Sequence, residues 1–405
     1  MAGLSAKRIL ITGLSTHWGG RIAQVLERDP RVEAIVGIDT GDPRRELERT
    51  EFVRVDARPS LIRRILAAAA IDTVIDTSGE EVDVAAIDAI LEACGGSGSP
   101  VRKLVFKSSA LLYGSEADDP AFFTEDMSPR HPPRTAIERD VLDAEHAVGA
   151  FATRNPSTTV TVLRVATEIR ADSSGPRLGM FRLPVIPAML GFDPRCQFVH
   201  EDDVVGALVH VCIHDLPGVY NVAADGVLAL SEISSLLGKP LLPILPPWGT
   251  TLAAAALRRF GLAVPLEAVR ELRFGRGLDN RRLKAAGYTY RYTTREALLK
   301  LRAQQRLRPL LRSGGDSYRY EREVEEFLRW SPSVQRPAGA AKRSSEPGDP
   351  PPDYDQLPAA EVVGLISSLE PEAAARLRRY EAQNLARDEV LDALDRRLAR
   401  SHRQS

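Results

Sequence analysis

Short apolar runs alternate with longer stretches of helical periodicity along the first 165 residues. "RILIT", "EAIVGID", "DTVID" and "KLVFKSS" are separated by segments long enough to form helices, and "TVTVLRV" follows a predicted helix at about 134–153. Continuous apolar runs of this length are typical of strands that are buried on both faces. Together with the intervening helices, they predict an α/β fold with a doubly wound parallel sheet.

The pattern changes after residue 170 and again after residue 330. We predict that residues 1–170 form mainly a nucleotide-binding domain, and that residues 171–330 form a smaller substrate-binding segment whose strands return to the main body. Residues 331–356 are rich in Pro, Ser and Gly, which indicates a flexible linker. Residues 357–405 regain helical periodicity and predict a tail of two amphipathic helices.

Charge and cysteine content narrow the list of partners. The chain has 54 Lys and Arg against 55 Asp and Glu, a balance that gives no indication of nucleic-acid binding. The three cysteines, Cys94, Cys196 and Cys212, are far apart in sequence, so they predict a reducing cytoplasm and no metal centre. Two isolated amphipathic helices bury little surface, so we expect the tail to dock on the main body or on a second copy in a homo-oligomer.

Membrane-spanning segments are not predicted. No uncharged apolar run reaches about 18 residues. Residues 240–257 come closest, but they contain four prolines and precede Arg258 and Arg259. Interfacial contact of this stretch with a membrane stays open.

The loop "ITGLSTHWGG" has the spacing of a dinucleotide-binding turn. Gly13 follows the first strand, Gly19 lies where a helix begins, and Asp39 ends the second strand. In such turns the helix N-terminus receives a diphosphate, and the acidic residue binds the ribose hydroxyls. Thr16 occupies the central position, where a glycine is usual, so its side chain would either crowd the diphosphate or hydrogen-bond to it.

The acidic residue also bears on the choice of cofactor. Asp39 favours NAD over NADP, because a 2′-phosphate would meet a carboxylate there. Arg44 and Arg45 are close enough in sequence to reverse that preference, so NADP stays open.

Several motifs now follow one another in a recognisable order. "ITGLSTHWGG", "KLVFKSSALLYGS", "QFVHEDDVVGALVHV" and "LDNRRLKAAGYTYRYTTREAL" lie within residues 6–304. The chain resembles extended short-chain dehydrogenases/reductases of the NAD-dependent epimerase/dehydratase type, and among them bacterial UDP-glucose 4-epimerase-like proteins. The resemblance implies a Rossmann fold, bound NAD, and reversible hydride transfer on a nucleotide-sugar or a related hydroxylated small molecule.

The resemblance also implies a catalytic Ser or Thr, a Tyr and a Lys. Ser109 occupies the hydroxyl position. The segment "PPRTAIERDVLDAE" places Thr135 at the tyrosine and Arg139 at the lysine, and no tyrosine lies between Tyr113 and Tyr220. A threonine hydroxyl is a far weaker acid than a phenol, whose reference pKa is about 10. Arginine can hold ribose hydroxyls, but with a different geometry from lysine.

Two functional hypotheses therefore remain. The first is an NAD-dependent enzyme of the epimerase/dehydratase class with a substituted acid/base group. The second is a catalytically inactive NAD-binding regulator or scaffold whose helical tail contacts a partner. The predicted catalytic residues are Ser109, Thr135 and Arg139, and the predicted cofactor-binding residues are Gly13, Ser15, Thr16, Trp18, Gly19, Asp39, Asp56, Thr77 and Arg139.

Overall fold

The apolar runs of the sequence become strands in the computed structural model, which describes residues 6–96, 98–170, 176–245, 266–311, 359–366 and 371–401. The chain divides into two compact units, Met1–Ser313 and Gly314–Ser405. The strands are β1 Lys7–Thr12, β2 Val32–Asp39, β3 Thr50–Arg54, β4 Thr73–Asp76, β5 Lys103–Ser109, β6 Thr159–Val165, β7 Thr167–Ile169, β8 Ile186–Met189, β9 Arg195–Cys196, β10 Phe198–His200, β11 Gly218–Val222, β12 Leu228–Ala229 and β13 Leu241–Leu245.

Helices connect most of these strands. In the first unit they are α1 His17–Leu26, α2 Pro59–Ala68, α3 Val84–Cys94, α4 Ala136–Arg154, α5 Glu201–Ile213, α6 Leu230–Leu237, α7 Leu266–Phe274, α8 Arg281–Ala285 and α9 Thr294–Leu311. In the second unit they are α10 Ala359–Ile366, α11 Pro371–Gln383 and α12 Asp388–Ser401.

Seven strands form one parallel sheet in the order β11-β6-β5-β4-β1-β2-β3. The strand order reverses between β1 and β4, and ligands of such sheets bind in the crevice beyond the carboxyl ends of the strands at that point. The predicted doubly wound α/β fold is confirmed, and β11 is the strand from the later segment that returns to the main sheet.

The two faces of this sheet carry different helices. The Lys103 ammonium of β5 donates to backbone carbonyls in and just after α5, whereas the Ser108 hydroxyl of the same strand bonds Glu145 of α4. Side chains an odd number of positions apart point to opposite faces of a strand. Helices α1 and α5 therefore cover one face, and α2, α3 and α4, which pack side by side, cover the other.

One apolar core surrounds the seven-stranded sheet. Residues 176–245 and 266–311 contribute to a second, smaller apolar core. It contains Ile186 and Met189 of β8, Leu230 and Ile233 of α6, and Leu298 of α9, all buried. Most of the stretch 240–257 and the whole of the predicted linker 331–356 lie outside the described residues. None of the described helices is both long and apolar enough to cross a membrane.

The described part of the second unit contains three helices, so the prediction of two helices for the tail is wrong. The break falls at residues 384–387, where Ala386 has a positive φ of 48° and the Arg387 guanidinium bonds the fully buried Glu381 at 2.8 Å. Val362, Leu377 and Leu394, one from each helix, share an apolar core. The apolar periodicity continues across this break, which the ion pair between Arg387 and the buried Glu381 stabilises.

Candidate functional site

A cavity of about 420 Å³ lies at the carboxyl ends of β1, β2 and β4. Its lining includes five of the predicted cofactor-binding residues, contributed by the loop after β1, the end of β2 and the segment after β3. These five residues are Gly13, Ser15, Thr16, Asp39 and Asp56. Trp18, Gly19, Thr77 and Arg139, the other four, do not line this cavity.

Thr16 is the N-cap of α1. Its hydroxyl donates to the Gly13 carbonyl at 2.7 Å and accepts from the Gly19 N–H at 3.1 Å. Such a cap satisfies one of the unpaired N–H groups of the first helical turn. The side chain at the position of the usual central glycine is thus folded back onto its own loop.

Two glycines shape this loop for separate reasons. Gly13 has a φ of +71°, a conformation that L side chains rarely adopt. Gly19 is in the first turn of α1, and a Cβ there would lie 2.2 Å from the Gly13 carbonyl oxygen. Only a residue without a side chain lets the helix approach the loop this closely.

Asp39 is the acidic residue of the cavity that is best defined by hydrogen bonds. Its carboxylate accepts from the Ser15 N–H at 2.8 Å, the Ser15 hydroxyl at 2.6 Å and the Thr40 N–H at 2.7 Å. Burial raises the pKa of Asp39, but these hydrogen bonds outweigh that effect and the net pKa is lowered. The cavity therefore presents an ionised carboxylate, which accepts hydrogen bonds from hydroxyl groups and repels phosphate.

The two arginines that left the cofactor choice open do not line the cavity. Arg45 reaches toward Gln24, with a nitrogen–oxygen distance of 3.3 Å, and its side chain covers Gly20. Arg44 is exposed. Neither places a guanidinium against the Asp39 carboxylate in the described contacts.

Two residues at the end of β4 anchor the loop. Thr77 is fully buried, and its hydroxyl donates to the Thr12 carbonyl at 2.9 Å. This hydrogen bond fixes the end of β1, where the loop begins. Asp76 lines the cavity and accepts from the Thr12 hydroxyl at 2.5 Å. Burial raises the pKa of Asp76. The sequence analysis missed Asp76, although an acidic residue ending the apolar run "DTVID" was a signal for it.

Beside the loop lies a buried ion pair that the sequence analysis also missed. The Lys107 ammonium of β5 lies 2.7 Å from the Glu168 carboxylate of β7 and 4.9 Å from the centre of the Trp18 ring. A Cβ on Gly79, which has a φ of +61°, would come within 2.4 Å of that ammonium. Trp18 is buried against the sheet, as a helix-packing residue would be.

Ser109 ends β5 and is 2 % exposed. Its hydroxyl donates to the Glu80 carboxylate at 2.9 Å and accepts from the Leu111 N–H at 3.2 Å. Glu80 belongs to the 3-10 turn Gly79–Glu81 that follows β4. The predicted catalytic hydroxyl thus contacts a carboxylate that sequence reasoning did not identify, because only the pairing of β4 with β5 brings the two residues together.

Thr135 and Arg139, the other two predicted catalytic residues, lie at the start of α4. Thr135 is the N-cap of α4, where its hydroxyl accepts from the Glu138 N–H at 3.2 Å. Arg139 is exposed, whereas Val141 is fully buried. Among the described hydrogen bonds, neither residue contacts Ser109. Their catalytic assignment stays a prediction.

Substitutions of Thr135 and Arg139 test what these two side chains contribute to stability and to cofactor binding. We expect Thr135→Ala to lower the free energy of unfolding by about 1 kcal/mol, because a helix cap is lost. Arg139→Ala should change it by less than about 0.5 kcal/mol, because the side chain is exposed. Urea unfolding measures both effects. A fluorescence titration should show unchanged NADH affinity for Arg139→Ala, and a loss of more than about fivefold would show that Arg139 binds the cofactor.

Tyr113 is the nearest tyrosine in sequence to Ser109, but its hydroxyl hydrogen-bonds other residues. Its hydroxyl donates to the Asn221 side-chain oxygen at 3.0 Å and accepts from Arg164 at 2.8 Å. Burial raises the pKa of Tyr113, and the positive charge of Arg164 partly offsets this effect. This phenol joins β11 to the 3-10 turn after β5 and does not contact Ser109 in the described structure.

A histidine–carboxylate contact and an arginine–carboxylate ion pair join the loop helix α1 to α5. His17 lies 2.8 Å from Glu201, and Arg21 lies 2.8 Å from Asp202. Burial raises the pKa of Glu201, but the hydrogen bond and charge of His17 outweigh it and lower that pKa to about 2. The first turn of the loop helix is thus fixed to the helix on the same face of the sheet.

The sheet order, the tight loop after β1 and the acidic residue ending β2 define a Rossmann-type α/β protein. The chain belongs to the NAD dependent epimerase/dehydratase family, whose model matches residues 9–223. The resemblance inferred from the motifs is thereby confirmed. Uncharacterised proteins of Mycobacterium tuberculosis and Mycobacterium bovis are 32% identical over 311 residues, which is 72% of this chain and 82% of each relative.

Solved structures of more distant proteins share the fold. The dTDP-glucose 4,6-dehydratase of Bacillus anthracis in complex with NAD is 15% identical and has a TM-score of 0.58, with 76% of this chain and 98% of that chain covered. The UDP-glucose 4-epimerase of Thermus thermophilus in complex with NAD is 20% identical, with a TM-score of 0.55 and coverage of 74% and 99%. MoeE5 in complex with UDP-glucuronic acid and NAD is 21% identical and has a TM-score of 0.55, with coverage of 74% and 99%.

Proposed function

We propose that this protein binds NAD and transfers a hydride reversibly between NAD and a nucleotide-linked sugar or a related hydroxylated small molecule. The observation that carries the proposal is the Asp39 carboxylate, held by Ser15 at a cavity that begins at the Gly13 turn. Family membership and the fold neighbours, which were crystallised with NAD and in one case UDP-glucuronic acid, support it.

The cavity residues fit the adenosine diphosphate half of NAD. Asp39 would accept the ribose hydroxyls, and the N-terminus of α1 beyond the Thr16 cap would receive the diphosphate. Asp56 would lie toward the adenine. When bound, NAD supplies a hydride acceptor, and the chain's own task is to orient the substrate beside it and to move the hydroxyl proton.

We expect NADH to bind at least about tenfold more tightly than NADPH, because Asp39 repels a 2′-phosphate. Asp39→Ser should reduce this ratio to near one, mainly by weakening NADH. Fluorescence titrations of both nucleotides measure the ratio. Asp42→Ser is the matched control, because Asp42 is an exposed carboxylate that pairs with Arg54. A ratio below one in the unsubstituted protein would contradict the NAD assignment.

Absorbance at 340 nm tests hydride transfer directly. NAD-loaded protein is mixed with a panel of UDP-, dTDP- and GDP-linked sugars, and formation of bound NADH is followed within one turnover. We expect reduction with at least one member of the panel. Tight NADH binding with no reduction across the panel would contradict the enzymatic proposal.

A second candidate is an NAD-binding regulator or scaffold without turnover. One observation favours it: in the described residues, no tyrosine hydroxyl contacts Ser109, since Tyr113 is held by Asn221 and Arg164. The same absorbance experiment separates the two candidates. Cytoplasmic location and homo-oligomer formation stay predictions.

A further inference from the structure

Three side chains of the types that bind metal ions meet in two loops that follow β5, and none of them lines the cavity. Asp118 and Asp119 lie in the loop after the 3-10 turn Ala110–Tyr113, and His131 lies in the segment that leads into α4. One carboxylate oxygen of each aspartate and one ring nitrogen of the histidine lie within 4.8 Å of one another. Two segments of the chain thus bring three ligand atoms to one place.

His131 connects these two segments. Its Nε2 atom lies 2.8 Å from Asp118 Oδ1, and the neighbouring Arg130 guanidinium donates to the Asp118 carbonyl at 2.6 Å. The side chains of His131 and Asp118 are 34% and 63% exposed. A metal ion can therefore reach them from the solvent, and water molecules can complete its coordination.

Asp119 provides a separate indication of a missing ligand. Its Oδ2 accepts from the Glu116 N–H at 2.7 Å, whereas its Oδ1 is buried and has no hydrogen-bond partner in the described part of the chain. A buried carboxylate oxygen without a partner is costly. The two nearby guanidiniums, of Arg134 and Arg270, both pair with Glu116. A cation bound at Asp119 would satisfy this oxygen.

The chemistry of the three side chains favours a transition metal. Zn²⁺ is commonly bound by imidazole and carboxylate groups, and many of its sites have three protein ligands and a water molecule. Mg²⁺ and Ca²⁺ prefer oxygen ligands in larger number. The site needs no thiolate, so the wide spacing of the three cysteines does not bear on it.

We propose that Asp118, Asp119 and His131 bind one divalent transition-metal ion of the Zn²⁺ type. The bound ion joins the loop after β5 to the segment before α4, and it fixes the approach of the chain to the Thr135 cap. This site is separate from the cavity, so the inference goes beyond the proposed function and does not depend on it.

Isothermal titration calorimetry of the full-length, tag-free protein with Zn²⁺ tests the site. We expect about one ion per chain, with a Kd of about 10 µM or lower. His131→Ala and Asp119→Asn should each weaken binding by more than about tenfold, because even the loss of an outer hydrogen-bond partner weakens metal binding by about 10- to 100-fold. Asp119→Asn keeps the shape of the side chain. Mg²⁺ at about a hundredfold excess should leave the Zn²⁺ affinity within about twofold.

Two exposed residues provide matched controls. His146 is an exposed histidine of α4, and the side chain of Asp126 is 90% exposed. His146→Ala and Asp126→Asn should both bind Zn²⁺ within about twofold of the unsubstituted protein. Urea unfolding shows whether each variant is folded, and if Asp119→Asn is not, His131→Ala decides.

Three results would overturn the inference. Unchanged Zn²⁺ affinity in folded His131→Ala would show that the ion binds elsewhere. No heat of binding at about 1 mM Zn²⁺ would show that there is no site. Competition by Mg²⁺ would overturn the assignment to a transition metal. The NADH titrations are independent measurements, so failure of the metal site leaves the proposed function standing, and failure of the proposed function leaves the metal site standing.

Discussion

Gly19→Ala should abolish measurable NADH binding and lower the free energy of unfolding by about 3 kcal/mol. The added Cβ would lie 2.2 Å from the Gly13 carbonyl oxygen and 2.7 Å from the Leu14 Cα, and both are backbone atoms that move only if the loop moves. Since Thr16 caps α1 through the Gly19 N–H, the displacement would also break the cap. Fluorescence titration with NADH and urea unfolding measure the two effects.

The neighbouring glycine is the control for this prediction. A Cβ on Gly20 would lie 2.9 Å from the Arg45 side chain, which is flexible and can move aside. Alanine is favoured over glycine inside a helix by up to about 1 kcal/mol. We therefore expect the free energy of unfolding of Gly20→Ala to lie within about 1 kcal/mol of that of the unsubstituted protein, and we expect the variant to retain NADH binding. Equal losses for the two variants would show that the close approach at Gly19 does not matter.

Lys107→Met should lower the free energy of unfolding by about 3 kcal/mol or more. The substitution leaves Glu168 largely buried without its 2.7 Å partner, and an uncompensated buried charge is costly. The double variant Lys107→Met with Glu168→Gln should recover much of the loss, because the unpaired charge is gone. Urea unfolding of the two single variants and the double variant gives the coupling between the two residues.

An exposed ion pair between a lysine and an aspartate provides the comparison. Lys284 lies 3.0 Å from Asp225, with 43% of its side chain exposed, and exposed pairs contribute less than about 1 kcal/mol. Lys284→Met should therefore have a small effect. If Lys107→Met also changes the free energy of unfolding by less than about 1 kcal/mol, the Lys107–Glu168 pair does not stabilise the fold.

The fold could be predicted from the sequence because its signals are local. Strands buried on both faces must be continuously apolar, and short runs such as "DTVID" between helical stretches allow few other arrangements. The tail shows where this reasoning fails. Apolar periodicity continues through residues 384–387, but the pair between Glu381 and Arg387 stabilises a turn there. Such a pair depends on burial, which periodicity does not reveal.

The candidate site also contains some residues that local sequence signals reveal and others that only contacts between distant segments bring together. The sequence alone singled out Gly13, Gly19 and Asp39, whose spacing along β1, α1 and β2 is a local signal, and the structure places Gly13 and Asp39 at the cavity. The tertiary structure decided which side chains from different units meet, above all Glu80 with Ser109 and Lys107 with Glu168. The physical reason is that strand pairing and layer packing, which join segments far apart in the chain, place these charges against one another, and no local pattern records such a contact.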